Sequence, residues 1–100
     1  MSKYILHNTS LLREEDFSLK INNRSFLYSD GFFESIKVIN SECYNYRSHY
    51  NRIINSFQFF KAEFKISFHD FHDLLRKLIV SNEILGGRIR IVFYRDEGGK

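Results

Sequence analysis

Tryptophan and proline are both missing from this 100-residue sequence, and cysteine and methionine occur once each. Cys43 has no second cysteine with which to form an internal disulfide, and no group of Cys and His has the spacing of a zinc site. No apolar run exceeds four residues, whereas a transmembrane helix needs about 20, so we expect no membrane partner. No apolar segment follows Lys3, so a secretory signal is not predicted and we expect a cytoplasmic location.

Aromatic residues are abundant instead, with eleven Phe and six Tyr. The sequence is 43% hydrophobic and 27% charged, a composition that excludes intrinsic disorder and fits one globular domain. The net charge of +3 comes from 15 Lys and Arg residues spread among 12 carboxylates. Nucleic-acid-binding domains concentrate positive charge in a patch, so this spread does not favour a nucleic-acid partner.

Several short segments have the pattern of β-strands. Residues 4–8 are apolar enough for one strand, and residues 17–21 alternate apolar and polar side chains as a second. Residues 32–39 form a β-rich run, followed by Asn40-Ser41 and the short run 42–46. Because Asn tolerates the positive φ of two-residue turns, this region predicts a hairpin.

Two helices and a last strand follow. The first helix has one apolar face, formed by Tyr50, Ile53, Ile54, Phe57 and Phe60. The second is predicted to begin at Ser67, with Asp70 completing a weak capping box, and to end at Gly86-Gly87; its buried face is Phe71, Leu74, Leu75, Leu78 and Ile79. Residues 88–95 alternate again, with Ile89, Ile91 and Phe93 on one face. The order strands–helix–helix–strand predicts an α+β domain with an antiparallel sheet.

Residues 24–38, R-S-F-L-Y-S-D-G-F-F-E-S-I-K-V, resemble the N-terminal segment of fold-type IV enzymes that depend on pyridoxal 5′-phosphate (PLP). These are the branched-chain aminotransferases, the D-amino-acid aminotransferases and the 4-amino-4-deoxychorismate lyases. The run 49–52, H-Y-N-R, resembles the H-x-x-R of this family, and residues 87–95 resemble its strand before a Gly-rich loop. The resemblance covers nearly the whole chain in the family's order.

The resemblance implies site residues. Arg52 aligns with the arginine that binds the cofactor phosphate, a task for which the planar guanidinium fork is suited. Phe33 and Tyr28 align with aromatic residues of the substrate pocket. Lys37 shares a strand face with Phe33 and is placed to meet a substrate carboxylate, and Arg90 lies where relatives bind that group. From spacing alone, a solvated side chain is the better explanation of Arg52 and at least as good an explanation of Lys37 and Arg90.

The resemblance assigns no catalytic residue and no metal site to this chain. The family's PLP-binding lysine lies in a larger C-terminal half, and all seven lysines here precede that position. We therefore expect residues 1–100 to be the N-terminal small domain of a longer enzyme, and to be inactive alone. The resemblance further implies a homodimer acting on an amino acid or an amino-chorismate, with transaminase and lyase both open. The alternative is a small basic module that binds nucleic acid or protein.

Overall fold

The structure, a computed structural model, describes residues 3–16 and 31–94 of the chain. Within these ranges the strands are β1 (Tyr4–His7), β2 (Ser10–Arg13), β3 (Gly31–Ile39), β4 (Glu42–Cys43) and β5 (Gly87–Tyr94). The helices are α1 (Tyr46–Phe59) and α2 (Phe68–Ser81), with a short 3-10 helix at Glu14–Asp16. The predicted α+β class, with an antiparallel sheet and two helices, is confirmed.

The first strand returns on itself sooner than the sequence pattern indicated. Asn8 and Thr9 have φ values of 52° and 80°, and this two-residue turn joins β1 to β2 in an antiparallel pair. Positive φ is rare for a β-branched residue, so the presence of Thr9 did not indicate a turn at this position. The strand predicted at 17–21 lies outside the described residues. The Asn82 side chain attaches β1 to α2 through hydrogen bonds with both the N–H and the C=O of Tyr4.

The main sheet has the order β4–β3–β5, and both pairs are antiparallel. The predicted hairpin is confirmed, with Asn40 and Ser41 at φ values of 51° and 62°. Its second strand, however, ends at Cys43 and not at residue 46. Asn45 adopts the left-handed conformation, with φ of 56°, and turns the chain into α1, so that Tyr46 begins the helix.

Both helices pack on the same face of the sheet. Ser67 caps α2 as predicted, because its hydroxyl accepts a hydrogen bond from the Asp70 N–H at 3.1 Å. The prediction that Gly86-Gly87 ends α2 is wrong, since the helix ends at Ser81 and Gly87 begins β5. Asn82 ends the helix instead, because its side-chain amide and its backbone N–H both donate hydrogen bonds to the Leu78 carbonyl in the last turn. Neither α1 nor α2, the α-helices of the described ranges, is long and apolar enough to cross a membrane.

The core lies between this face of the sheet and the helices. Within the described ranges, the buried hydrophobic residues of this core are Ile36, Val38, Tyr46, Ile53, Phe71, Leu75, Ile79 and Ile89. Rings of the partly buried Phe residues extend the core toward β5, where Phe32 stacks on Phe93 with centroids 4.8 Å apart. Several of the phenylalanines, such as Phe57, Phe64 and Phe93, therefore supply bulk at the sheet–helix interface.

Tyr46 joins the start of α1 to the start of α2. Its ring is buried, and its hydroxyl donates a hydrogen bond to the Phe68 carbonyl at 2.5 Å. Burial raises the pKa of the Tyr46 hydroxyl above its ordinary value of 10, and the nearby Tyr50 adds to this effect. The folded chain therefore holds this proton more tightly than the unfolded chain does.

Tyr46→Phe is expected to lower the free energy of unfolding near pH 7 by about 0.5–1.5 kcal/mol, because one buried hydrogen bond is lost. Since the folded pKa is raised, the hydroxyl's contribution to stability is complete below about pH 10 and declines above it. The difference between parent and variant should therefore shrink from pH 7 to pH 11. Urea titrations at both pH values measure this, with Tyr44→Phe, at a ring that is 53% exposed, as the control. A constant difference would contradict the assignment.

Candidate functional site

The face of the main sheet that points away from the helices carries most of the predicted site. Phe33 and Lys37 alternate along β3 with the buried Ile36 and Val38, so they lie on the opposite face. In the antiparallel register Lys37 faces Arg88 and Ser35 faces Arg90 across the strands. We call Phe33, Ser35, Lys37, Arg88, Arg90 and Val92 the open face.

Aromatic and polar contacts hold the arginines of the open face in place. The Arg90 guanidinium lies over the Phe33 ring, 4.8 Å from its centroid. Both residues are exposed, so this cation–π contact leaves the guanidinium accessible to solvent. Arg88 lies with its Nη1 3.5 Å from the Ser35 hydroxyl. The open face thus presents cations beside an exposed ring.

The positive charge of the open face has no acidic counterpart within residues 3–16 and 31–94. The ion pairs found there both involve Glu34, which lies on the other face of β3. Lys37 and Arg88 are directly opposed like charges, an arrangement that destabilises a sheet. A carboxylate ligand bound here would relieve this repulsion.

A second polar cluster lies under the sheet, where β3 meets α1. Glu34 is 8% exposed, and its Oε2 lies 2.5 Å from His49 Nδ1 and 3.2 Å from Arg52 Nε. His49 and Arg52 are three positions apart on α1 and therefore share one side of the helix. A buried carboxylate needs such partners, because unpaired burial of a charge is costly.

The structure brings Phe33, Lys37 and Arg90 together, whereas Arg52 lies elsewhere. Arg52 pairs with Glu34, which is on the helix-covered face of β3, so it does not share the open face. Tyr28 lies outside the described residues. Glu34 was missed, although its place among Ile36 and Val38 in the alternation put a carboxylate on the buried face. A carboxylate on the same strand face as apolar core residues was the signal in the sequence.

Other chemically reactive residues do not form a site in the parts of the chain that the structure describes. No group of three His, Cys, Asp or Glu side chains is arranged there to hold a metal ion. Burial raises the pKa of the Cys43 thiol, and the charge of Glu42 raises it further, so the thiolate nucleophile is disfavoured. A cleft of about 610 Å³ lies between β1, α2 and β5, lined mainly by apolar side chains such as Phe64, Leu78 and Ile91.

Comparisons with known proteins agree with this architecture. The family model described as amino-transferase class IV matches residues 31–100. D-alanine aminotransferase of Listeria monocytogenes is 27% identical over 85 residues, which are 85% of this chain and 29% of that protein. D-alanine aminotransferase of Staphylococcus aureus is 29% identical over 91 residues, which are 91% of this chain and 32% of that protein. The chain therefore spans about a third of these relatives.

Two solved structures have the same fold. The Escherichia coli branched-chain amino acid aminotransferase superposes with a TM-score of 0.87 at 21% identity, over 97% of this chain and 33% of that one. A Legionella pneumophila structure assigned as a 4-amino-4-deoxychorismate lyase superposes with a TM-score of 0.71 at 28% identity, over 85% of this chain and 32% of that one.

The opposed charges of the open face lead to a prediction. Lys37→Glu should raise the free energy of unfolding by about 0.2–1 kcal/mol, because a like-charge pair with Arg88 becomes an opposite-charge pair. Lys37→Gln, which only removes the repulsion, should give a smaller gain. Urea titrations in low salt measure both, and the gains should shrink in about 1 M NaCl, where the Debye length is about 3 Å. An unchanged or lower stability of Lys37→Glu would contradict this account.

Proposed function

The chain belongs to the class IV aminotransferase family, and from this premise we propose that it is the N-terminal small domain of a PLP-dependent enzyme. The observation that carries the proposal is the family match over residues 31–100, together with the cationic, aromatic open face. Its relatives are about three times as long. We infer that the lysine to which such an enzyme binds PLP covalently lies outside residues 1–100. The domain alone is therefore inactive.

The residues present fit the phosphate of PLP at one position. The Arg52 side chain is 58% exposed, and its closest ion-pair contact, to Glu34, is made through Nε. An arginine has five N–H donors, four of which are on the terminal nitrogens. The terminal nitrogens of Arg52 are thus available to donate to phosphate oxygens, while Nε stays with Glu34. In this role Arg52 binds and orients the cofactor.

The open face fits the substrate. Lys37 and Arg90 would hold a substrate carboxylate by charge-assisted hydrogen bonds, and the Phe33 ring would exclude water from the apolar part of the substrate. Tyr28 is proposed as a further wall of this pocket. When bound, PLP supplies the electron sink for the chemistry at the amino-acid α-carbon. The residues of this domain select and orient the substrate, and we assign them no proton transfer.

The proposed substrate is an amino acid or an amino-chorismate. The D-alanine aminotransferases, at 27% and 29% identity, support amino transfer, and the Legionella protein, at 28%, supports the lyase reaction. Both reactions use a substrate with an amino group and a carboxylate, which the open face suits equally well. Incubation of the intact protein with D-alanine and a 2-oxo acid tests amino transfer, and incubation with aminodeoxychorismate tests the lyase. We place this chemistry in the cytoplasm.

Arg52→Ala in the intact protein is expected to weaken PLP binding, because it removes a charge-assisted phosphate contact worth about 1.5–3 kcal/mol. This corresponds to a rise in Kd of roughly ten- to a hundredfold. Arg52→Lys should recover only part of the affinity, because the ammonium keeps the charge and loses the fork. Equilibrium dialysis against PLP gives the Kd values.

Arg47→Ala is the matched control for Arg52. Arg47 is also an exposed arginine of α1, but its guanidinium lies over the Phe68 ring, 4.7 Å from the centroid. Its variant should bind PLP as the parent does. Unchanged PLP binding by Arg52→Ala would overturn the phosphate assignment.

We also propose that the intact enzyme is a homodimer, and that the domain alone associates through its open face. Phe33 and Val92 are 59% and 54% exposed there, and water contact with such a patch is unfavourable. Sedimentation of the 100-residue chain should show concentration-dependent association, which Val92→Ser weakens. Val80→Ser, at a position on α2 that is 73% exposed, is the control. A monomer at all concentrations would contradict association through this face.

A further inference from the structure

We propose that Glu34 and His49 are positioning residues, which hold the guanidinium of Arg52 in the orientation that binds a phosphate group. This inference rests on the proposed function, because it takes the phosphate of PLP as the ligand of Arg52. It concerns two residues that do not themselves contact the cofactor. The observation behind it is the cluster of three side chains between β3 and α1.

One oxygen atom organises the cluster. Glu34 Oε2 lies 2.5 Å from His49 Nδ1 and 3.2 Å from Arg52 Nε, so both groups of α1 meet the same carboxylate oxygen. Glu34 itself is fixed by the alternation of β3, which places it beside the fully buried Ile36. The sheet therefore sets the position of the carboxylate, and His49 and Arg52 of α1 both contact it.

The three side chains differ in exposure in a graded manner. The side chain of Glu34 is 9% exposed and that of His49 14% exposed, whereas the side chain of Arg52 is 58% exposed. The inner two are largely enclosed by the fold, and the arginine alone of the three extends well into solvent. Contact through Nε restrains the side chain near its end, so the terminal nitrogens keep one direction. Less rotamer entropy is then lost when a ligand binds.

Electrostatics alone makes the opposite prediction for Glu34, and this contrast makes the proposal testable. A carboxylate 3.2 Å from Arg52 Nε repels a phosphate dianion. If Glu34 contributed only its charge, Glu34→Gln would tighten phosphate binding. If Glu34 positions Arg52, the same variant weakens phosphate binding even though a negative charge is removed. The sign of the change separates the two.

The experiment measures the affinity of the intact protein for PLP and for pyridoxal, which lacks the phosphate. Glu34→Gln is expected to raise the Kd of PLP by about tenfold, the lower end of what outer partners contribute at metal sites. The Kd of pyridoxal should not change, and inorganic phosphate should compete less well with PLP. Glu42→Gln, which removes an exposed carboxylate from β4, is the matched control and should leave all three values unchanged.

Variants of His49 give an independent test that leaves the Glu34 carboxylate in place. His49→Ala removes the Nδ1 contact and should raise the Kd of PLP selectively. His49→Asn keeps a nitrogen near the position of Nδ1 and should restore most of the affinity, which loss of packing alone does not explain. If Glu34→Gln does not fold, this pair of variants decides the question: equal binding by both, or equal loss for PLP and pyridoxal, overturns the inference.

A double-variant comparison separates failure of the inference from failure of the proposed function. With Ala at position 52, Glu34→Gln should have no further effect on PLP binding, because its effect passes through Arg52. If Arg52→Ala itself leaves the Kd of PLP unchanged, the phosphate assignment fails. If Arg52→Ala weakens PLP binding and Glu34→Gln tightens it or leaves it unchanged, the positioning role alone is wrong.

Discussion

The two-residue period of β3 is the constraint on which the rest of the structure depends. Successive side chains of a strand point to opposite faces, so each residue of β3 belongs either to the helix-covered core or to the open face. Ile36 and Val38 are almost fully buried, whereas Phe33 and Lys37, at the alternate positions of the strand, are exposed. A shift of register by one residue would bury Lys37 and expose the core, which specifies the register strongly.

Because β3 is the central strand, its two faces serve different purposes. The buried face anchors α1 through Glu34, and the open face gathers cations from β3 and β5. Arg52 contacts the buried face of β3 through Glu34, whereas Lys37 and Arg90 lie on the opposite face of the sheet. In the proposed enzyme the cofactor phosphate and the substrate carboxylate would be bound by separate groups, whose relative placement is set by this strand.

The sequence predicted the features that depend on a regular period or on one specific residue type. Alternation gave the faces of β3 and β5 correctly, the Asn40-Ser41 pair gave the hairpin, and Ser67 gave the start of α2. The resemblance gave the family, and two thirds of the chain carries the match. These signals are local, so they can be interpreted without knowledge of the tertiary structure.

The features that the sequence concealed depend on tertiary contacts. Tyr46 looked like the end of a strand, but its ring packs into the core and its hydroxyl reaches Phe68, 22 positions away. Asn82 ends α2 before the glycines, because its amide also binds the backbone of Tyr4 in another element. The partners of Glu34 lie 15 and 18 positions along the chain, and no periodicity links a strand residue to a helix residue at that distance.

The open face combines two properties that a solvent-exposed sheet face does not need together. Exposure of the apolar Phe33 and Val92 side chains to water is unfavourable, and the opposed Lys37 and Arg88 repel each other. Apolar contact alone would compensate the first, but covering the face with apolar groups would desolvate the cations at a greater cost. A covering surface that also brings a carboxylate satisfies both. In the proposed enzyme, the open face would therefore receive an amphipathic acid enclosed by further protein, as in a substrate pocket between two domains.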